Sequence, residues 1–210
     1  MGAGGVGGVP ANTHLYSGFA VAQGAFFNST PLGEEHASRY IVVGVNSGNS
    51  NSAEITGVTV AGVTATKLTE TAPASTFHNS LWIAAVPTGT SGTVFVASSG
   101  TNWNNTSVMA LYLSSGTPVA TANDINGTTV DVSANVTGPK GVVVGYSGCY
   151  NAYTMTPTGF SVQDTLTSNV YDYEMCLADG LATETPRTLQ FGYSGTNNQE
   201  RGVSATFLGA

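Results

Sequence analysis

Charge is what this chain has least of. Its 210 residues include five Lys or Arg and twelve Asp or Glu, 8% in all, about a third of the usual share of ~25%. Solubility therefore rests on Thr, Ser, Asn and exposed backbone, a surface suited to packing beside many neighbours or to meeting neutral sugars. The five cations, Arg39, Lys67, Lys140, Arg187 and Arg201, are scattered and form no basic patch. Phosphate neutralisation can then supply little affinity, which argues against nucleic acid as a partner. A polybasic membrane contact fails for the same reason.

Other absences narrow the field. No segment approaches the ~18 consecutive apolar residues of a membrane-spanning helix. The N-terminus, MGAGGVGGVPANTH, lacks the charged region and apolar run of a signal peptide, so synthesis in the cytoplasm without membrane insertion is expected. Two cysteines, Cys149 and Cys176, are too few and too far apart for a metal site and are expected as free, buried thiols. The histidines, His14, His36 and His78, form no HxH or HExxH pattern. No cofactor and no metal are expected. Helical periodicity is almost missing too, with only 32–37 allowing a short turn.

What remains is strand after strand, with turn residues between them. The candidates are 14–21, 39–46, 55–60, 63–69, 80–86, 92–98, 107–113, 128–133, 140–147, 159–166, 170–178, 187–193 and 202–208. In the stretch from Tyr171 to Leu177, Tyr171, Tyr173, Met175 and Leu177 share one face, while Asp172 and Glu174 point to the other. Gly57 and Gly62 are expected at bends or bulges. The fold class is all-β, an antiparallel two-sheet β-sandwich or jelly roll.

An internal echo adds detail. TVFVASSGTNWNNTSVMALYL (93–113) resembles TLQFGYSGTNNQERGVSATFL (188–208), with Ser-Gly-Thr-Asn repeated at an offset of 95 residues. The same offset carries Val108, Ala110 and Leu113 onto Val203, Ala205 and Leu208, and RYIVVGV (39–45) parallels KGVVVGY (140–146) at an offset of 101. Pseudo-repeat halves at about 36–115 and 128–210 are expected to bury apolar faces against each other, each with an SGTN turn before its closing strand. Residues 1–35 are expected to supply an arm for docking or assembly plus the first strand. Gly4, Gly5, Gly7, Gly8 and Pro10 would form the arm, because glycine alone holds no fixed conformation and needs a neighbouring subunit to lie against.

Three chemistries can be weighed. GYSG occurs at 145–148 and 192–195, but the fifth position is not Gly and no helix follows, so both copies read as strand ends and not as nucleophile elbows. Asp172 and Glu174, about 7 Å apart along one strand face, read as a solvated face in preference to a glycosidase pair. Asp124, Asn126 and Asp131 gather oxygen ligands without the spacing of a calcium loop. Sugar recognition needs aromatic faces beside amides, and TNWNNT (101–106) with YSGCYNAY (146–153) offers Trp103, Asn102, Asn104, Tyr150 and Tyr153 as glycan contacts. Packing or assembly is the competing role for these aromatics.

The order RYIVVGV, ITGVTVAGVTATKL, SLWIAAVPTGTSGTVFVASSG, VMALYL and GTTVDVSANVTGPKGVVVGY resembles β-sandwich (jelly-roll-like) modules of tailed-bacteriophage virion proteins of the head-decoration, head-spike and fibre type. The resemblance covers about residues 36–210 and brings no catalytic residue. It implies a non-enzymatic virion structural protein, a capsid decoration or cement protein or a head spike. Such a protein would be a homo-oligomer, often a trimer, partnered by a major capsid or tail protein and located in the virion. The alternative it implies is a glycan-binding adhesin of tail or fibre type, contacting host surface polysaccharide.

Overall fold

The computed structural model describes residues 9–48, 54–71, 77–125, 127–150, 154–167, 171–195 and 200–210, with the side chains of 102, 103, 150, 166, 167 and 171 outside the description. The described residues form seventeen strands and no helix. The first half holds β1 (Thr13–Pro31), β2 (Arg39–Gly48), β3 (Ile55–Val60), β4 (Val63–Thr64), β5 (Thr66–Glu70), β6 (Phe77–Ala85) and β7 (Ser91–Tyr112). The second half begins with β8 (Ala120–Ile125), β9 (Thr129–Asp131), β10 (Ala134–Val136), β11 (Gly141–Tyr150) and β12 (Met155–Thr158). It ends with β13 (Ser161–Thr167), β14 (Tyr171–Leu181), β15 (Glu184–Arg187), β16 (Gln190–Tyr193) and β17 (Arg201–Leu208).

The first-half sheet folds over on itself. β7 runs unbroken through 99–102, the stretch expected to be a turn. Its first part pairs with β3 and its second part with β2, while β1 follows it along the other edge. Register shifts in β1 at Ala22/Gly24 mark the bend. The two limbs face each other over a core that includes Phe27, Val43, Val58, Trp82, Val96 and Val108. Gly57 sits at a register shift against β7, and Ala61 (φ 50) with Gly62 (φ 81) makes the left-handed turn that closes β3 onto β4.

In the second half, β13-β14-β11-β17-β8 form one sheet. The short strands β12-β16-β9, with the pair β10-β15, lie over its far face. Val143, Cys176, Phe191 and Leu189 fill that core. A third apolar layer joins the halves: Val42, Leu81, Ile83, Met109 and Leu111 from the first meet Val144, Tyr146, Tyr173, Met175, Val203 and Phe207 from the second. Each half is thus a two-layer sandwich, and the inner sheets of the two halves pack together. β2 and β11 are buried on both faces, which is why IVVGV and GVVVG read as continuous apolar runs and not as alternating ones.

The echo has a direction in space. Val43, Val108 and Ala110 point into the first half's own core, whereas Val144, Val203 and Ala205 at the repeat offsets point into the shared layer. The inner sheets are stacked the same way round, not with equivalent faces together. Gly44 pairs with Ser107, and Gly145 pairs with Ser204, two residues beyond the offset partner Gly202. An even slip leaves every side chain on its original face. The second SGTN copy does leave a strand at Ser194 and Gly195, because β16 and β17 belong to different sheets.

Candidate functional site

Edge strands separate β1 from the rest of the molecule. An unpaired edge is a template for further strand pairing, and proteins blunt it with charge, proline or shortness. The other edges follow that rule. β5 carries Lys67 and Glu70 in an ion pair of 2.7 Å, β13 carries Asp164, β8 Asp124 and β9 Asp131. β12 holds Pro157, β15 holds Pro186, β4 is two residues long and β10 three. β1 is 19 residues long, has no Asp, Glu, Lys or Arg, and among the described residues pairs with β7 alone. Phe19, Val21 and Phe26 stand exposed along it.

Near its start, β1 is fastened across the halves. Ser17 Oγ donates to Asp164 Oδ2 on β13 and lies 3.1 Å from Ser107 Oγ, while His14 Nε2 lies 3.2 Å from Ser17 Oγ and 3.6 Å from Asp164 Oδ2. The residue types match a hydrolytic triad, but the wiring does not. His14 Nε2 is 2.9 Å from the Tyr16 carbonyl, which only accepts, so this nitrogen carries the hydrogen and cannot take a proton from Ser17. The Ser17 hydrogen goes directly to the carboxylate. The cluster is a clamp, and sequence reasoning missed it because Ser107 and Asp164 lie far along the chain from His14 and Ser17.

The arm residues Gly4, Gly5, Gly7 and Gly8 lie outside the described residues. Pro10 is half-buried and lines a depression with Tyr112, Lys140 and Gly209, and Asn12 Oδ1 accepts the Tyr112 N–H at 2.7 Å. The chain from Val9 onward therefore lies against its own body.

Of the proposed glycan contacts, Asn102, Trp103 and Asn104 belong to β7 and not to a corner loop. The Trp103 backbone sits between Val21 and Gly48. Asn104 is fully buried and its Nδ2 donates to the Ala22 carbonyl at 3.3 Å. The side chains of Asn102, Trp103 and Tyr150, and all of Tyr153, lie outside the described residues.

Asp172 and Glu174 share a face as expected, but that face is not solvated: each is only 6% exposed, because β14 is covered on both sides. Burial, then the neighbouring Asp172 charge, pushes the Glu174 carboxyl up. GYSG at 145–148 lies inside β11 and not at a strand end, and Ser147 Oγ is buried, donating to the Arg201 carbonyl at 2.8 Å beside the Tyr193 hydroxyl. Asp124 Oδ2 accepts the Asp131 N–H and Asp131 Oδ1 accepts the Ser133 N–H, both at 2.9 Å, so backbone amides occupy these carboxylates. Cys149 and Cys176 are buried thiols not joined in a disulfide, and burial pushes the Cys176 thiol well up.

Arg39 is another buried charge with a structural role. Its guanidinium donates to five carbonyls, those of Val86, Gly33, Glu34, Thr88 and Gly89, at 2.6–2.9 Å. All five donors are satisfied, and the loops after β1 and β6 are tied together.

No family model, curated protein or solved structure matches this chain.

Proposed function

We propose that the chain is a non-enzymatic structural subunit of a virus particle, a decoration or spike protein held in place through its N-terminal residues and β1. The observation that carries this reading is the contrast in length and charge between β1 and the other sheet edges. A long, uncharged edge with Phe19 and Val21 exposed along it is suited to accept a strand from a second copy or from a shell protein, with main-chain hydrogen bonds supplying affinity. Low charge leaves apolar burial and strand addition as the means of attachment. The strand order resembling phage virion modules points to the kind of particle.

The test is incorporation. Tagged chain is produced in cells assembling the particle, and particles are banded by density. Val21→Lys, which gives β1 the defence other edges have, is expected to lower incorporation about tenfold or more, since a lysine in a pairing edge is desolvated without a partner. Its thermal midpoint should match the parent's. Deleting residues 1–8 should likewise leave a folded domain that no longer joins the particle. Normal incorporation of both variants refutes the reading.

A further inference from the structure

The outermost layer of the first half presents a second feature on its solvent face, distinct from the β1 edge. Phe26 of β1, Phe95 of β7 and Thr59 of β3 stand in register across three adjacent strands. Phe26 is 64% exposed, and its ring lies 4.4 Å from that of Phe95 at an interplanar angle of 33°. The rings make a tilted two-part platform and not a plug in a core.

Glycine shapes the floor beside it. In the neighbouring row Gly24, Ala97 and Gly57 pair across the same strands. A Cβ on Gly24 would sit 2.9 Å from the Phe95 ring, so the ring can lie down only because this position is bare. A Cβ on Gly57 would meet nothing within 4 Å, which leaves an open step at the platform's side. On the other flank, Thr93 Oγ1 donates to Asn28 Oδ1 at 3.2 Å, holding the carboxamide while its NH2 group can still donate.

Charge decides the ligand class. Across 24–31, 55–60, 63–64 and 91–98, the whole of this layer, there is no Asp, Glu, Lys, Arg or His, in a chain of net charge −7. A charged ligand would lose hydration here and gain no counter-charge. A protein partner needs about 800 Å² per side and 20–30 residues, whereas the apolar element here is one pair of rings among threonines, glycines and an asparagine. A pyranose fits all of these features. Its C–H face matches the electron-rich face of an aromatic ring, and its hydroxyls meet the flanking amide and hydroxyl groups.

We infer that the outer face of this layer, centred on Phe26 and Phe95 and flanked by Asn28, Thr93 and Thr59, binds neutral polysaccharide. The site is separate from the residues around Trp103 and Tyr150. It is also independent of the assembly reading, because strand addition uses the edge of β1 and the platform uses its face.

The experiment is native affinity electrophoresis of the full chain through gels containing a β-glucan, a mannan, a galactan or a dextran, with alginate as the acidic control. Retardation is expected in at least one neutral gel and not in alginate. Phe26→Ala and Phe95→Ala should each weaken that retardation about fivefold to tenfold, the range an aromatic contact supplies. Phe26→Trp should keep or strengthen it. Since Phe26 is mostly exposed, its variants should unfold at the parent's midpoint. Failure in all four neutral gels, or unchanged retardation of Phe26→Ala, overturns the proposal. So does a change of sedimentation from oligomer to monomer in Phe26→Ala, which would make the face a contact between copies.

Discussion

Gly44 has no side chain because Tyr146 occupies the space one would fill. A Cβ there would lie 2.7 Å from the ring carbons of a tyrosine that is fully buried and whose hydroxyl donates to the Asn105 carbonyl at 3.2 Å. The ring cannot retreat, so Gly44→Ala should cost about 1–3 kcal/mol in urea unfolding. Gly57→Ala, with open space around its Cβ, should stay within about 0.5 kcal/mol. His78 makes a different kind of prediction. It is 3% exposed, and neither ring nitrogen meets a hydrogen-bond partner among the described residues. Burial holds its pKa below the ordinary value of 6.5, against the opposing pull of Glu70 and Glu54. Below that value the unfolded chain takes up a proton that the folded chain refuses, so stability falls as pH drops from about 6.5 towards the lower folded value. The midpoint in urea should decline over that window in the parent, and His78→Leu should remove this part of the slope. An unchanged slope in the variant would assign the acid sensitivity elsewhere.

Among the elements, the inner strands were the most legible in the sequence. IVVGV and GVVVG are β-branched runs too apolar for a half-solvated strand, and they occupy the central positions between β6 and β7 and between β14 and β17. β7 was not legible as one strand. SSGTNWN is turn-like composition, and it stays extended between the part of β7 that pairs with β3, ending at Ser98, and the part that pairs with β2, starting at Trp103, with β1 shifting register beside it. β8, ATANDI, was missed because Ala, Asn and Asp are poor strand formers, and it forms as an edge against β17. For Asp172 and Glu174, alternation reveals which face they share, but not that strands closing from elsewhere in the chain cover that face. The Phe26–Phe95 pair was hidden for the same reason, since only the β1–β7 register brings the two rings together. The aromatic residues favoured from sequence stood in a polar context that reads equally as loop or strand.

At the scale of the whole molecule, four β layers enclose three apolar cores. The two inner sheets stack in the same sense, as units of a repeat protein do, and different short elements cap each end. Because the middle core takes residues from both halves, neither half should unfold alone. The sequence supplies its own reporters: both tryptophans, Trp82 and Trp103, are in the first half, and both cysteines, Cys149 and Cys176, are in the second. Tryptophan fluorescence and thiol labelling should trace one coincident transition, and Leu81→Ala in the middle core should shift both by about 2–5 kcal/mol. Two separated transitions would mean that the halves are autonomous. A body fused in this way leaves its outer edge for attachment, and hydrogen exchange of the chain, free and then in its assembled state, tests that most directly. Strand addition predicts that alternate amides of β1, exchanging quickly in the free chain, become protected on assembly while β2 and β11 are protected throughout. If β1 exchanges alike in both states, attachment does not use this edge and the account is contradicted.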